Sequence, residues 1–208
     1  MLLEKLSPAL EQVDSSSGAL GSAVNRAIDV IVPIIATPDA TESVREAWLE
    51  RLFDALQEDR TPYIEHLGDF WGQLCVTPSI ASAWAERLLG ATTHVLGPDG
   101  HGEFFTCTTA CLSALYGAQR YDELIRSVDS ARFNWWHYRR WRVDALMAQV
   151  LPAKALRYAQ GSQASNAPFG AVAKASEAIL LQSGMIDEAY RGRKQPGRSC
   201  DETSSERG

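Results

Sequence analysis

The sequence has almost no signal for β-strands. Its one β-branched run, residues 30–35, contains Pro33, and proline removes a hydrogen-bond donor from the middle of any strand. We interpret this run as the end of a buried helix that begins near Ala19, with Pro33 helping to end it. The lack of strand signals excludes sheet-based folds and predicts an all-α protein.

Cysteines and long apolar runs are also scarce. Four cysteines in 208 residues are too few for a disulfide scaffold. The longest apolar run, residues 30–36, is much shorter than the roughly 18–20 residues of a membrane-spanning helix. The first residues lack the basic and then apolar pattern of a signal peptide. We therefore expect a cytoplasmic protein with reduced thiols and no membrane partner.

Sequence signatures of catalysis are missing as well. There is no Gly-x-Ser-x-Gly elbow, no Gly-Lys-Ser/Thr phosphate loop and no His-Glu-x-x-His zinc motif. The glycines of residues 97–102 follow no predicted strand, so they indicate a turn rather than a nucleotide-binding loop. These absences predict a protein that is not an enzyme and holds no cofactor.

Charge is distributed unevenly along a chain whose 45% hydrophobic content is enough for a sizeable core. Residues 1–104 carry 6 basic and 16 acidic side chains, whereas residues 105–208 carry 14 and 10. We predict one domain over residues 1–190, with an acidic helical part at 1–96 and a repeat part at 103–190. Residues 191–208 are polar and broken by glycine and proline, which predicts a disordered tail.

Three Thr-Pro dipeptides predict helix starts in the acidic part, because threonine caps free amides and proline suits the first helical position. After each dipeptide, apolar residues recur at three- and four-residue spacing. The dipeptides are Thr37-Pro38, Thr61-Pro62 and Thr77-Pro78.

The basic part contains a repeat. Three segments align when Arg120, Leu151 and Met185 are matched, with steps of 31 and 34 residues. In each segment an apolar helix ends, a short turn follows and a second helix begins. The period indicates tetratricopeptide-like repeats, and the prediction is a stack of antiparallel helical hairpins, an α-solenoid.

One position tests the alignment of these repeats. Gly184 lies where a helix should end, and glycine readily adopts the left-handed conformation of many helix ends. Val150 occupies the matching position, where a positive φ is costly for a β-branched residue. We predict either a helix end without a left-handed residue at Val150 or a strained Val150.

The repeat part also resembles a family of uncharacterised bacterial tetratricopeptide-like helical-repeat proteins. The resemblance covers roughly residues 105–190 and implies the fold without an activity. The segments that carry it are Trp136-His137-Tyr138-Arg139-Arg140-Trp141, Ala155-Leu156-Arg157-Tyr158-Ala159, Glu177-Ala178-Ile179-Leu180-Leu181 and Asp187-Glu188-Ala189-Tyr190.

Residues 135–142 interleave aromatic and arginine side chains. One interpretation is packing, with Tyr138, Trp141 and Ala145 on a buried stripe and the arginines on other faces. A second is an interaction scaffold that binds a protein or peptide here, and a third is a nucleic-acid-associated regulatory protein. The acidic chain makes nucleic acid the weaker alternative. The candidate partner-binding residues are Trp135, Trp136, Arg139, Arg140 and Arg142.

Two further alternatives remain open. His101, Cys107 and Cys111, with His94 as a fourth ligand, are weak candidates for a metal site and for a metal-dependent enzyme. The competing interpretation is that these cysteines are small buried hydrophobes, so no metal site is predicted. Separately, the last helix is short, and the apolar edge it leaves could be covered by a second copy in a homodimer.

Overall fold

A computed structural model describes residues 18–37, 39–59, 62–100, 105–162, 168 and 170–193. Within these ranges all regular secondary structure is helical, which confirms the all-α class. The chain divides into two compact units between Phe133 and Asn134.

The first unit contains six α-helices and two 3₁₀ segments, Glu65–Phe70 and Pro98–Gly100, among its described residues. Its helices are α1 (Ala19–Ala36), α2 (Glu42–Glu58), α3 (Trp71–Cys75), α4 (Pro78–Leu96), α5 (Thr108–Gly117) and α6 (Tyr121–Asp129). The described part of the glycine-rich segment, residues 97–100, lies inside this unit, and α4 and α5 on either side of the segment pack against each other. His101 and residues 102–104 lie outside the described ranges.

Pro33 does not end α1. The helix continues to Ala36, and the amide and hydroxyl of Thr37 both donate to the Pro33 carbonyl, at 3.1 and 2.6 Å. The expectation of a buried helix is also wrong in part, because Val30 and Ile34 are each 64% exposed. Pro33 has no amide to donate to the carbonyl of Asp29. Because both residues are exposed, water can hydrogen-bond that carbonyl instead.

On length and composition alone, α1 could cross a membrane, with 18 residues and a mean hydropathy of 1.5. Asn25, Arg26 and Asp29 interrupt the apolar residues along the sequence, so no long uninterrupted run is visible there. Mostly buried core helices and signal sequences pass the same test, and 17% of this helix, which lies near the N-terminus, is buried. In this structure α1 buries Val24, Ile28 and Val32, one helical turn apart, against the first unit.

The Thr-Pro dipeptides have three different outcomes. Thr77 confirms the prediction, because its hydroxyl accepts a hydrogen bond from the Ile80 amide at 3.3 Å and Pro78 is the first residue of α4. Thr37 contradicts it, since α2 begins only at Glu42 after Thr41. Thr61 lies outside the described residues, and the predicted single helix after it is a 3₁₀ segment followed by the short α3.

An aromatic cluster occupies the core where α2, α3 and α4 meet. The ring of Trp84 lies 5.4 Å from Phe53 and 5.1 Å from Trp71, centroid to centroid. The Arg87 guanidinium covers the Phe53 and Trp84 rings at 4.5 and 4.6 Å and is paired with Glu50. The cation closes the solvent side of the cluster while remaining hydrated.

The backbones of α3 and α5 touch at two glycines. A Cβ on Gly117 would lie 2.8 Å from the Gly72 Cα, and a Cβ on Gly72 would collide with the Ser113 carbonyl. The Ser113 hydroxyl lies in the same contact, accepting from the Gly72 amide and donating to the Asp69 carbonyl, each at 2.9 Å. The approach is possible only without side chains at both positions, because the obstructing atoms belong to the backbone.

We expect Gly72→Ala to destabilise the protein by about 1–3 kcal/mol, since the added methyl group must push two helices apart. The matched control is Gly90→Ala in α4, where a Cβ would meet no atom within 4 Å. Removing backbone freedom there should stabilise by about 0.5–1 kcal/mol. Thermal unfolding of both variants checks this, and equal melting temperatures would contradict the close packing of α3 on α5.

The three aligned segments end their first helices in the same way. Each end has one residue in the left-handed conformation, followed by a backbone hydrogen bond that reaches back five residues. The left-handed residues are Gln119, Val150 and Gly184, with φ of 60°, 60° and 76°. The bonds run from Arg120 to Leu115, Leu151 to Leu146 and Met185 to Leu180, each at 2.9 Å. The three aligned segments therefore share one type of helix end.

The strained alternative at Val150 is the one observed. Its φ is 60° and its side chain is 81% exposed, so it contributes little packing to offset the cost of the left-handed conformation. We expect Val150→Gly to raise the melting temperature by about 1–4 °C. The control is Ala178→Gly, an exposed right-handed helical position, where glycine should destabilise by about 1 kcal/mol. A lower melting temperature for Val150→Gly would reject the strain.

The second unit contains two helix pairs among its described residues. They are α7 (Trp136–Ala148) with α8 (Pro152–Gly161), and α9 (Ala171–Gln182) with α10 (Ile186–Arg193). Helix α8 packs against both α7 and α9. Residues 191–193, predicted to belong to the tail, continue α10, and the rest of that segment lies outside the described residues.

Candidate functional site

Helices α7 and α8 enclose a cationic groove of about 380 Å³. Two arginines one turn apart on α7 lie on one side, and two cations one turn apart on α8 lie on the other. Leu146, which is buried, and Gly161, which is exposed, complete the lining. The charged and aromatic members are Arg139, Arg142, Lys154, Arg157 and Tyr158. We refer to these seven residues as the groove.

The helical phase of α7 separates the buried aromatics from the arginines of the groove. Tyr138, Trp141 and Ala145 are all buried, which confirms the predicted stripe. Residues 139 and 142 are three apart and therefore share a different face of the helix. Packing of the aromatic stripe thus fixes the direction in which both arginines extend.

Tyr158 on α8 contacts both arginines of α7 that line the groove. The Nε of Arg139 donates to its hydroxyl at 3.0 Å, and the guanidinium carbons of Arg139 and Arg142 lie 5.0 and 4.2 Å from its ring centroid. A tyrosine ring attracts cations through its negative face. The stacking holds both planar guanidinium groups in place before any ligand binds, which lowers the entropy cost of binding.

The structure divides the candidate partner-binding residues. Arg139 and Arg142 line the groove. Trp136 is only 7% exposed, and half-buried Trp135 lies against His137, with 5.4 Å between ring centroids. Arg140 does not line the groove and instead lies 4.8 Å from the centroid of the Trp141 ring.

Sequence reasoning missed the α8 half of the groove. Lys154, Arg157 and Tyr158 have the three- and four-residue spacing of one helix face, and that spacing was a readable signal. The spacing alone led to no prediction of a site, because only the packing of α8 on α7 shows which residues of α7 this face opposes.

Cys107 and Cys111 are completely buried, and His101 lies outside the described residues. Burial raises the pKa of Cys107 to about 12 and that of Cys111 to about 11. Without a metal ion, both thiols therefore remain protonated at neutral pH, as expected of small buried hydrophobic side chains. Within the described ranges, no three His, Cys, Asp or Glu side chains are grouped so that they could hold a metal ion.

A second open groove, of about 580 Å³, lies in the first unit beside the C-terminal half of α4. Its polar lining includes Glu86, Thr93, His94 and Ser130. The Glu86 carboxylate is paired with Arg120 at 2.7 Å, and Arg120 also makes a two-pronged pair with Glu123. Arg120 is thus paired with carboxylates within the protein, whereas the described residues that line the groove between α7 and α8 include four cations and no carboxylate.

Comparison with protein-family models, curated proteins and solved structures gave no match to this chain. The groove between α7 and α8 is therefore the basis for assigning a function.

His66 lies between two carboxylates of the first unit. Its Nδ1 is 3.0 Å from Asp69 on the same 3₁₀ segment, and its Nε2 is 2.8 Å from Asp29 on α1. The hydrogen bond with Asp69, and then that with Asp29, raise the pKa of His66 above its ordinary value, against an opposing effect of burial. The imidazole thus joins α1 to the rest of the unit most strongly when it is protonated.

Because the folded-state pKa is raised, this stabilisation is complete below the unfolded-state pKa of about 6.5 and is lost as pH rises through the folded-state value. We expect Asp29→Asn to lower the melting temperature by about 1–3 °C at pH 6, with the difference shrinking by pH 9. Glu46→Gln, an exposed carboxylate on α2, is the control and should show no such trend. A difference for Asp29→Asn that stays constant across this pH range would contradict the role of His66.

Proposed function

We propose that this chain is a non-enzymatic protein-interaction scaffold whose groove between α7 and α8 binds an acidic segment of a partner protein. The observation that carries the proposal is the convergence of four cations and one tyrosine on one small cavity. Among the described residues that line it there is no carboxylate, so the groove is complementary to a negatively charged ligand.

The dimensions of the groove favour a peptide over a nucleic acid. A cavity of about 380 Å³ accommodates one or two side chains. Nucleic acid is bound along its backbone by cations that follow many phosphates, and the net charge of −6 on this chain repels such a polyanion at long range. Binding of a short acidic segment requires only the local positive charge.

The repeated hairpins support the scaffold part of the proposal. Three helix pairs share one type of helix end at steps of 31 and 34 residues, as expected of a tetratricopeptide-like array. Such arrays bind partners on extended concave surfaces built from successive helices. We infer a solenoid arrangement of these hairpins in a cytoplasmic protein of bacterial type, with the groove as its partner site.

The last hairpin favours a further contact with a second copy. Leu181, Ile186 and Tyr190 are exposed on α9 and α10, which is where a solenoid would require a polar cap. A homodimer formed through this edge leaves the groove as a separate site for the partner.

The test is a comparative pull-down from cells of the source organism, using charge reversal at exposed groove positions. Lys154→Glu with Arg157→Glu should reduce capture of one stoichiometric partner at least tenfold, because two attractive contacts become repulsive. Lys174→Glu with Arg191→Glu is the matched control: the same charge change in the same unit, at exposed positions that do not line the groove. The control should capture the partner as the wild type does.

Two results would overturn the proposal. One is equal capture by the groove variant and the wild type. The other is capture that disappears after nuclease treatment and falls steeply with salt, which would identify a nucleic acid as the ligand.

A further inference from the structure

We propose that the group held in the groove is a phosphoryl group on a side chain of the partner, so that the protein binds a phosphorylated peptide. This inference rests on the proposed function and specifies the chemistry of the ligand. It follows from the number of cations, from the arrangement of the arginines and from the open space in the groove.

The positive charge in the groove exceeds what one carboxylate neutralises. Arg139, Lys154 and Arg157 have no ion-pair partner among the described residues, and Arg142 lines the same cavity. A phosphorylated side chain carries a charge of about −1.5 to −2 at pH 7, against −1 for Asp or Glu. Like charges held this close repel one another, so the ligand with the higher negative charge offsets more of the repulsion.

The donors are arranged for a group with several acceptor oxygens. Arg139 uses Nε on the Tyr158 hydroxyl, and its terminal nitrogens have no acceptor in the described part of the chain. Stacking on Tyr158 holds this guanidinium as a planar fork, which matches two oxygens of a phosphate at once. Lys154 and Arg157, one turn apart on the facing helix, can reach a third oxygen from the opposite side.

The groove also has room for the side chain that carries the phosphate. A Cβ on Gly161 would meet no atom within 4 Å, so the backbone of α8 borders open space at this point. Leu146 supplies an apolar surface for the carbon atoms that link the phosphate to the peptide. A polar opening around an apolar base fits phosphoserine or phosphothreonine.

A calorimetric titration of the full chain tests the ligand class with two short peptides. The probes share an alanine- and glycine-based sequence and differ only in phosphoserine or glutamate at the central position. We expect the phosphoserine peptide to bind at least tenfold more tightly, because only its phosphate engages both sides of the groove. Equal affinity for the two peptides would overturn the phosphoryl proposal.

Variants then locate the binding. Lys154→Glu with Arg157→Glu should remove binding of the phosphoserine peptide, and Lys174→Glu with Arg191→Glu should preserve it. Gly161→Leu adds bulk in open space without changing charge, so it should weaken binding at least fivefold without lowering the melting temperature. Unaltered binding by Gly161→Leu and by the groove charge reversal would overturn the proposed location.

The pull-down separates this inference from the proposed function. Phosphatase treatment of the lysate should abolish capture of the partner, whereas the same treatment with a phosphatase inhibitor should not. Capture that depends on the groove but survives phosphatase would overturn the phosphoryl proposal and leave the scaffold for an acidic segment standing. Capture that is independent of the groove would overturn both.

A vesicle assay separates a peptide from a lipid as the source of the phosphate. Vesicles of phosphatidylcholine with phosphatidic acid should bind the wild type no more than vesicles of phosphatidylcholine alone. Binding to the phosphatidic acid vesicles that is lost on charge reversal of Lys154 and Arg157 would overturn the phosphopeptide proposal.

Discussion

The architecture depends on one backbone interaction that occurs three times: the hydrogen bond that closes a helix through a left-handed residue. At Leu146 and Leu151 this bond ends α7 and starts α8 after a short turn. The direction of α8 relative to α7 follows from that turn, and with it the placement of Lys154 and Arg157 opposite Arg139 and Arg142. The groove is thus a consequence of the direction of this turn. The turn has its left-handed residue at Val150, although the left-handed conformation is costly for a β-branched side chain.

The first unit is held together by a different constraint. Gly72 and Gly117 bring the backbones of α3 and α5 into contact. The Ser113 hydroxyl provides a hydrogen-bond partner for the Gly72 amide and the Asp69 carbonyl at this contact. The five-residue α3 has little surface of its own to bury, so close approach to α5 compensates for its length. The segment before α3 is a 3₁₀ helix and not part of a longer α-helix. It contains His66, which lies between Asp29 and Asp69.

The two halves of the chain use charge in different ways. In the first unit, Arg87 and Arg120 are paired with carboxylates and cover or join elements of the fold. In the second unit, Arg139 and Arg142 of the groove stack on the ring of Tyr158, which carries no formal charge. Stacking orders an arginine without cancelling its charge, and a surface built in this way retains its attraction for an anion.

Local patterns determined the helical class, the helix start at Thr77-Pro78, the three aligned helix ends and the buried stripe of α7. These features depend on spacing within one helix or one turn, which the order of residues specifies directly. Three other features depended on the environment of the folded chain and not on local spacing. They are the continuation of α1 past Pro33, the 3₁₀ segment before α3 and the α8 side of the groove. Glycine contact between α3 and α5, solvent beside α1 and the pairing of α7 with α8 are properties of the folded chain. Only the tertiary structure decided which cations share a cavity. Helical periodicity specifies which residues lie on one face of a helix, whereas the packing of helices determines which other residues that face contacts.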